Sequence, residues 1–335
     1  MKAISRHPFA SIAAAATLFV AVAVGALAVR AAQTDPATAW QPAGLSGDTV
    51  HALTFDRAGR LLAATQTGVY RRSGSQWRRL LKSDGTWSVM VVPHTGVLLS
   101  GNEEGYVTRS NDGGTRWRRT LISTQGVFAV TATPTGSVLL AGAGGGIFRS
   151  TDGGATWRRT LPLPGSAGTT FTWDGNGTTV YAGTVTASVK GATQVFVSHD
   201  AGVHWRMAGS RFASHGGIMA VALVPGGTLL AGTMGNAIWR TDALSGGWRK
   251  IANGIPPHQH VAGIAVLPHH SARVYIATLA AGVLTTADGG RHWISLASGL
   301  PGDSGVQVAL AVVVAPQGHT LYAATTNGIY RHPLG

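Results

Sequence analysis

The chain contains no cysteine. That removes disulfides, thiol catalysis, lipoprotein acylation and cysteine-based zinc sites together. Carboxylates are scarce as well: 13 acidic residues occur in 335, and the only glutamates are the adjacent Glu103 and Glu104. Charged residues make up 12% of the chain while glycines number 47, a balance that fits a turn-dense β protein and not a disordered one. Phosphate cradles of the strand-to-helix kind are missing. The run Gly144-Gly145-Gly146 lies between two strand-like segments and is expected to be a hairpin turn. No cofactor is implied. One uncharged apolar run stands out, from Phe9 to Val29, preceded by Lys2 and Arg6 and closed by Arg30. It approaches the roughly 20 residues that span a bilayer as a helix. Residues 1–32 therefore read as a signal peptide or a retained signal anchor, with Ala26-Leu27-Ala28 as a small-residue cleavage site, and 33–39 as a polar linker. Under either reading the positive N-terminus stays in the cytoplasm and the remainder is exported, tethered at the plasma membrane by residues 9–29 or secreted.

What the chain does contain is a repeated phrase. Its clearest copy is RSTDGGATW (Arg149 to Trp157), and RSNDGGTRW (Arg109 to Trp117), VSHDAGVHW (Val197 to Trp205) and TTADGGRHW (Thr285 to Trp293) repeat it. Two further copies are degenerate: Arg240 to Trp248 is distorted, and Arg71 to Trp77 lacks the Asp. Each closes a unit of about 40 residues, a period in the propeller-blade range. Within a unit, short aliphatic or β-branched runs separated by Gly, Asn and Asp turns read as four strands. In the third unit these are expected near Val127 to Ala132, Val138 to Gly142, Gly146 to Ser150, and from Trp157 onward. The last unit, Val306 to His332, has no closing Trp, and Trp40 upstream supplies one: Trp40-Gln41-Pro42-Ala43-Gly44-Leu45 resembles the stretch after Trp157. The expectation is an all-β, seven-bladed propeller over residues 40–335, preceded by one hydrophobic helix. Its ring is closed by the strand near Trp40 pairing with the last blade, which would leave no open sheet edges.

The repeated carboxylates, Asp112, Asp152, Asp200 and Asp288, belong to the turn between the third and fourth strands. Glycines there permit positive φ, the Asp bonds backbone N–H groups of its own turn, and Trp117, Trp157, Trp205 and Trp293 cover apolar surface between blades. This S-x-D-G-G-x-x-W pattern resembles the Asp-box, or bacterial neuraminidase, repeat, from Trp40 to about His332. Chain length and unit count are most similar to the photosystem II stability/assembly factor group and its non-photosynthetic relatives. That resemblance implies a binding or assembly role without chemistry. A sialidase-like activity, which the name of the repeat also brings to mind, would need a Phe/Tyr-Arg-Ile-Pro segment that is absent.

Chemistry is sought on the face opposite the Asp turns, in the loops joining each fourth strand to the next first strand and each second strand to the third. A glycosidase wants two carboxylates about 5–10 Å apart. Only Asp84, Glu103, Glu104, Asp303 and Asp48 are placed to supply them, with Asp84 and Glu103 able to approach each other; Glu103-Glu104 also reads simply as a solvated hairpin. His258-x-His260, with His215 one unit earlier, is the nearest thing to a metal cluster, since alternating residues of an extended segment share a face. No carboxylate accompanies it, and no metal site is assigned. Trp87, Lys190, Arg211, His215, His258 and His260 are the candidate partner contacts. A protein of the cell envelope is the favoured partner, with a glycan as the alternative. Formal charge is +13. Much of it recurs after the repeat Trp, at Arg78-Arg79, Arg118-Arg119, Arg158-Arg159, Arg206 and Arg249-Lys250. Such a rim guards the outer strands against edge pairing and suits an anionic membrane surface. Nucleic acid is disfavoured, because aromatics do not interleave with these cations.

Overall fold

A computed structural model describes residues 39–186, 194–209, 217–235, 238–244, 247–267, 272–303 and 306–334. Strand β1 (Gln41–Gly44) opens this part of the chain. The first sheet holds β2 (Val50–Phe55), β3 (Leu61–Thr65), β4 (Gly68–Ser73) and β5 (Gln76–Lys82); the second holds β6 (Thr86–Val91), β7 (Leu98–Asn102), β8 (Tyr106–Ser110) and β9 (Arg118–Leu121). A third, wider sheet runs β10 (Val127–Ala132), β11 (Leu139–Ser150), β12 (Arg158–Trp173), β13 (Val180–Thr186), β14 (Val195–Ser198), β15 (Arg206–Met207). The fourth comprises β16 (Ile218–Val224), β17 (Thr228–Thr233), β18 (Ile238–Thr241) and β19 (Arg249–Ile251), and the fifth β20 (Val261–Val266), β21 (Val274–Thr278), β22 (Gly282–Thr286) and β23 (Ile294–Ser295). After a ribbon of β24 (Gly302–Asp303) and β25 (Val306–Gln307), the sixth sheet joins β26 (Ala311–Val314), β27 (Thr320–Thr325) and β28 (Gly328–Pro333) to β1. Each sheet's innermost strand packs on that of the next, and β26 packs on β2, so the sheets form a β-propeller ring.

Seven separate blades were expected; the described residues form six large sheets, one of them six-stranded. The difference arises in one place. Strand β11 folds back at Gly145 and Gly146, both at positive φ, as the expected hairpin requires, which brings Leu139 against Gly154 of the Asp turn; yet its pairing is not interrupted there, and β12, after a register shift between Leu163 and Ala167, carries the outer strand of the third unit into the inner strand of the fourth. Two sequence repeats thus share one hydrogen-bonded sheet. Glycine explains the fusion. At three other junctions a middle-strand glycine faces the β-branched residue that opens the next inner strand. A Cβ on Gly101, Gly183 or Gly232 would lie 2.6, 2.6 or 2.7 Å from Val127, Ile218 or Val261 side-chain atoms. In the third unit that opening residue is Gly168, and a Cβ on Gly142 would meet its backbone oxygen at 2.6 Å. With no side chain on either residue the two backbones touch, and the ladder continues across as Gly144 pairs with Ala167.

Closure uses the two ends of the described chain. Gln41 pairs with Arg331 and Pro42 with Tyr330 in an antiparallel β1–β28 ladder. Trp40, 4% exposed, packs into the apolar layer between the last two sheets with Leu300, Val283 and Leu321. Five of the closing tryptophans bond to the unit before their own, while Trp157 Nε1 donates within its own turn to Gly154 O. Trp77 Nε1 donates to Ala43 O, Trp117 Nε1 to Leu80 O, Trp205 Nε1 to Thr160 Oγ1, Trp248 Nε1 to Ala208 O, and Trp40 Nε1 to Leu296 O. Between the sheets lie apolar layers such as Leu62, Val69, Val89 and Leu98, which supply the burial that holds a propeller together. Among the described residues no helix is long and apolar enough to cross a membrane. The hydrophobic helix expected within residues 1–32 lies outside them.

Candidate functional site

The repeated carboxylates are bound within their own turns. Asp112 Oδ1 accepts the N–H groups of Thr115 and Arg116 and the Ser110 hydroxyl, while Ser110 Oγ accepts from Gly114 N. The pattern recurs at Asp152 with Ser150, at Asp200 with Ser198, and at Asp288 with Thr286. These bonds favour the ionised form and hold all four carboxyls below the ordinary aspartate range. The Arg116 N–H leads at Asp112, the Thr156 hydroxyl at Asp152 and the Thr286 hydroxyl at Asp288. At Asp200 desolvation opposes the shift, and the His204 N–H and Ser198 hydroxyl outweigh it.

The opposite face carries a different construction. Just inside its start, each of six inner strands slips register by one residue against its neighbour. The skipped residues are His51, Trp87, Phe128, Thr169, Met219 and Ala262. A β-bulge turns its extra residue out of the ladder, and here all six extra residues line one pocket on the ring axis, with a volume of about 360 Å³. Phe171, Met234 and Leu310 complete its apolar wall. Inner strands start on the face away from the Asp turns, so the pocket belongs to that face. The His51 and Trp87 rings are 4.4 Å apart between centroids, and Trp87 and Phe128 6.2 Å. No Asp, Glu, Lys or Arg lines the pocket among the described residues. Burial pushes His51 toward its neutral form, against the Gln66 hydrogen bond and the charge of Asp48.

Of the described residues named from sequence as partner contacts, Trp87 alone reaches this pocket. His258 and His260 do not share a face of an extended segment. His258 is an exposed turn residue at φ +60° and His260 is half-buried beyond it, kept toward neutral by that burial. Among the described residues no three His, Cys, Asp or Glu side chains converge as a metal site would require. Lys190, Arg211 and His215 lie outside the described residues. The carboxylate candidates sit away from the axis. Asp84 and Glu104 line a cleft of about 400 Å³ with Lys82, Trp117 and Arg119, between the first two sheets. Glu103 lies against Gly85, donating its N–H to Gly85 O at 2.9 Å, and so flanks Asp84 in the chain fold. Asp303 is on the β24 ribbon. Sequence reading missed the axial ring except for Trp87. The signal it left is one varied residue, unit after unit, directly following the residue that opens the inner strand.

No family model and no curated protein matches the chain. Solved structures do. A GH74 enzyme from Niastella koreensis superposes with a TM-score of 0.69 at 17% identity, over 88% of this chain and 53% of that one. A GH74 xyloglucanase from Xanthomonas campestris gives 0.68 at 20%, again over 88% and 53%. YCF48 bound to a D1 peptide gives 0.66 at 15%, over 92% of this chain and 98% of that one. The chain thus spans about half the length of the two GH74 structures. At these identities the likeness establishes the β-propeller fold and nothing finer.

Proposed function

We propose that the chain is a non-catalytic, exported binding propeller of the Asp-box group that assists the assembly or stability of a protein complex in the cell envelope. The observation that carries this reading is where the carboxylates go. Asp112, Asp152, Asp200 and Asp288 are engaged in their turns, Asp56 holds Arg60, Asp242 holds Arg240 and Arg249, and Asp48 accepts from Thr67. The pocket a substrate would enter along the axis has no acid or base among its described lining except His51. What that face offers is a rigid, aromatic-lined depression. The outer strands offer Arg78, Arg79, Arg118, Arg119, Arg158 and Arg159, all exposed and none in an ion pair among the described residues. Such charge favours encounter with an acidic partner or membrane surface. A propeller of nearly the same extent holds a peptide in the YCF48 structure, which supports a protein partner. Crosslinking in native membranes followed by mass spectrometry tests the proposal. A discrete envelope protein joined to the loop-bearing face is expected, with capture weakened in Lys190→Glu/Arg211→Glu; random crosslinks, or capture indifferent to the substitutions, would refute it.

One observation favours a second reading. The cleft of Asp84, Glu104, Lys82, Arg119 and Trp117 combines carboxylates with an indole, as glycan sites do, and two GH74 structures share the fold. Turnover of a fluorogenic glycoside, abolished in Asp84→Asn or Glu104→Gln, would establish it over the first.

A further inference from the structure

We propose that the axial ring of bulge residues is a binding site for a small, flat, uncharged aromatic molecule. The proposal stands independently of any macromolecular partner. Its first support is the construction. Six times the backbone skips one residue and turns it to the axis, and in all six that residue lines the pocket. The backbone device is constant while the side chain changes from unit to unit: His, Trp, Phe, Thr, Met, Ala. A purely structural ring would have no need of that variety.

The second support is the order of those side chains round the ring. His51, Trp87 and Phe128 come from consecutive units and form one continuous aromatic wall. Thr169, Met219 and Ala262 follow and form a wall of small or flexible groups. A pocket with a rigid aromatic side and a yielding side opposite accommodates a planar ring laid against the former; methionine adapts to such ligands through its unbranched thioether. The strands close the pocket laterally, so it admits a molecule entering along the axis. At about 360 Å³ it falls at the small end of the roughly 300–1,000 Å³ range of small-molecule sites.

The third support is electrostatic. The lining threonines already have partners: Thr169 Oγ1 donates to Ile218 O, Thr170 Oγ1 accepts from Val221 N, and Thr131 Oγ1 accepts from Trp173 Nε1. No charged side chain faces the cavity among the described residues, and His51 is biased to neutrality. A charged ligand would therefore lose hydration without a counter-charge, and Trp87 Nε1 and Ser88 Oγ, both unpartnered on the lining residues, leave at most one or two hydrogen bonds for a ligand, too few for a polyhydroxylated one.

The chain's five methionines report on the site without any substitution: Met219 and Met234 line it, while Met90 and the exposed Met207 do not. The full chain, labelled with 13C-methyl methionine, is titrated with 2-naphthol, which is flat and uncharged at neutral pH, and in parallel with its anionic relative naphthalene-2-sulfonate. Saturable shifts confined to the Met219 and Met234 methyls are expected, with the anion bound at least about tenfold more weakly. Met219→Glu should weaken the neutral probe by a similar factor. No saturable shift at Met219 and Met234, an equal response at Met207, or equal binding of the anion would each overturn the proposal. The first of these is also what a pocket reserved for a partner's side chain would give.

Discussion

Gly142→Ala isolates the contact that merges two repeats into one sheet. Gly142 is not a positive-φ glycine, so alanine can adopt its backbone conformation and any loss is steric. The new Cβ would lie 2.6 Å from Gly168 O and 2.7 Å from Gly168 C, where ordinary contact begins at 3.4 Å. The backbones must part by roughly 0.8 Å, and neither clashing atom belongs to a side chain that can rotate away. Overpacking costs about 1–3 kcal/mol, and the rigidity of both partners puts this case at the upper end, about 3 kcal/mol. At about 2 °C per kcal/mol for a chain of this size, the melting temperature should fall by about 6 °C. Two comparisons sharpen the test. At Gly183 the atoms met are side-chain carbons of Ile218 and Thr170, not backbone, so Gly183→Ala should lose less. At Gly175 nothing lies within 4 Å, so Gly175→Ala should melt like the parent. Thermal unfolding followed by circular dichroism reads all three. If Gly142→Ala melted like Gly175→Ala, or above Gly183→Ala, the close approach of the two units would be disproved.

Three further outcomes follow from the turns. Ser150 is 3% exposed and serves both Asp152 and the buried Gly154 N–H; Ser150→Ala strands that N–H and should cost about 1–3 kcal/mol in a denaturant titration. The four turn aspartates have carboxyls held below their ordinary range, so the stability they contribute is complete above that range and disappears as pH falls toward their folded-state values. Melting temperature should be flat near neutrality and decline below about pH 4, and a flat profile through that window would contradict the role given to these carboxylates. Arg149 Nε donates to Ala201 O in the next turn at 2.9 Å; Arg149→Met should cost about 1 kcal/mol, and a melting temperature equal to the parent's would show that the latch is idle.

The parts of this architecture that could be read from sequence are those whose physics is local. Ser110, Asp112 and Gly114 act within five residues of one another, so the turn is written contiguously and repeats visibly. The partner of the last sheet was also legible, because the Trp40 stretch repeats a phrase used elsewhere and β1 pairs with β28. The merged sheet was not. It depends on two glycines, Gly142 and Gly168, on strands of successive units, and in a sequence with 47 glycines neither is distinctive until they are seen face to face. His51 was passed over because it sits in a strand-like alternation, where a single histidine is unremarkable; only the register slip turns it to the axis. Trp87 was noticed because a Trp outside the repeated phrase is conspicuous. The shared face expected of His258 and His260 is lost for the converse reason: a non-glycine residue at φ +60° is uncommon, and the extended geometry assumed for the pair does not exist.

The arginine that opens the repeated phrase belongs functionally to the following unit. Arg71 Nη1 donates to Gly113 O, Arg149 Nε to Ala201 O and Arg240 Nη1 to Gly289 O, in each case the carbonyl one residue past the Asp of the next turn. Arg109 takes the same position, its Nη2 3.7 Å from a Cβ built on Gly153. Three of the four intact Asp turns thus accept a hydrogen bond from an arginine of the preceding unit, and the fourth has Arg109 beside it. The exceptions run the same way. Val197 stands in the arginine's place before the distorted turn at Asp242, and Thr285 stands there before the last unit, which has no Asp turn at all. Arg331 precedes the turn that lost its Asp, and it is occupied instead with Gln41 Oε1 of the closing strand. The chain thus keeps the donor where the next turn is intact, and drops or redirects it where that turn is not. This also accounts for arginines opposed across strands, Arg71 with Arg78 and Arg149 with Arg158. Like charges so placed ordinarily repel, but here one of each pair is drawn toward a neighbouring carbonyl while the other stays in solvent. The Asp turn is accordingly a joint between units, and its repetition records the ring's mechanics while the varied axial residues carry its chemistry.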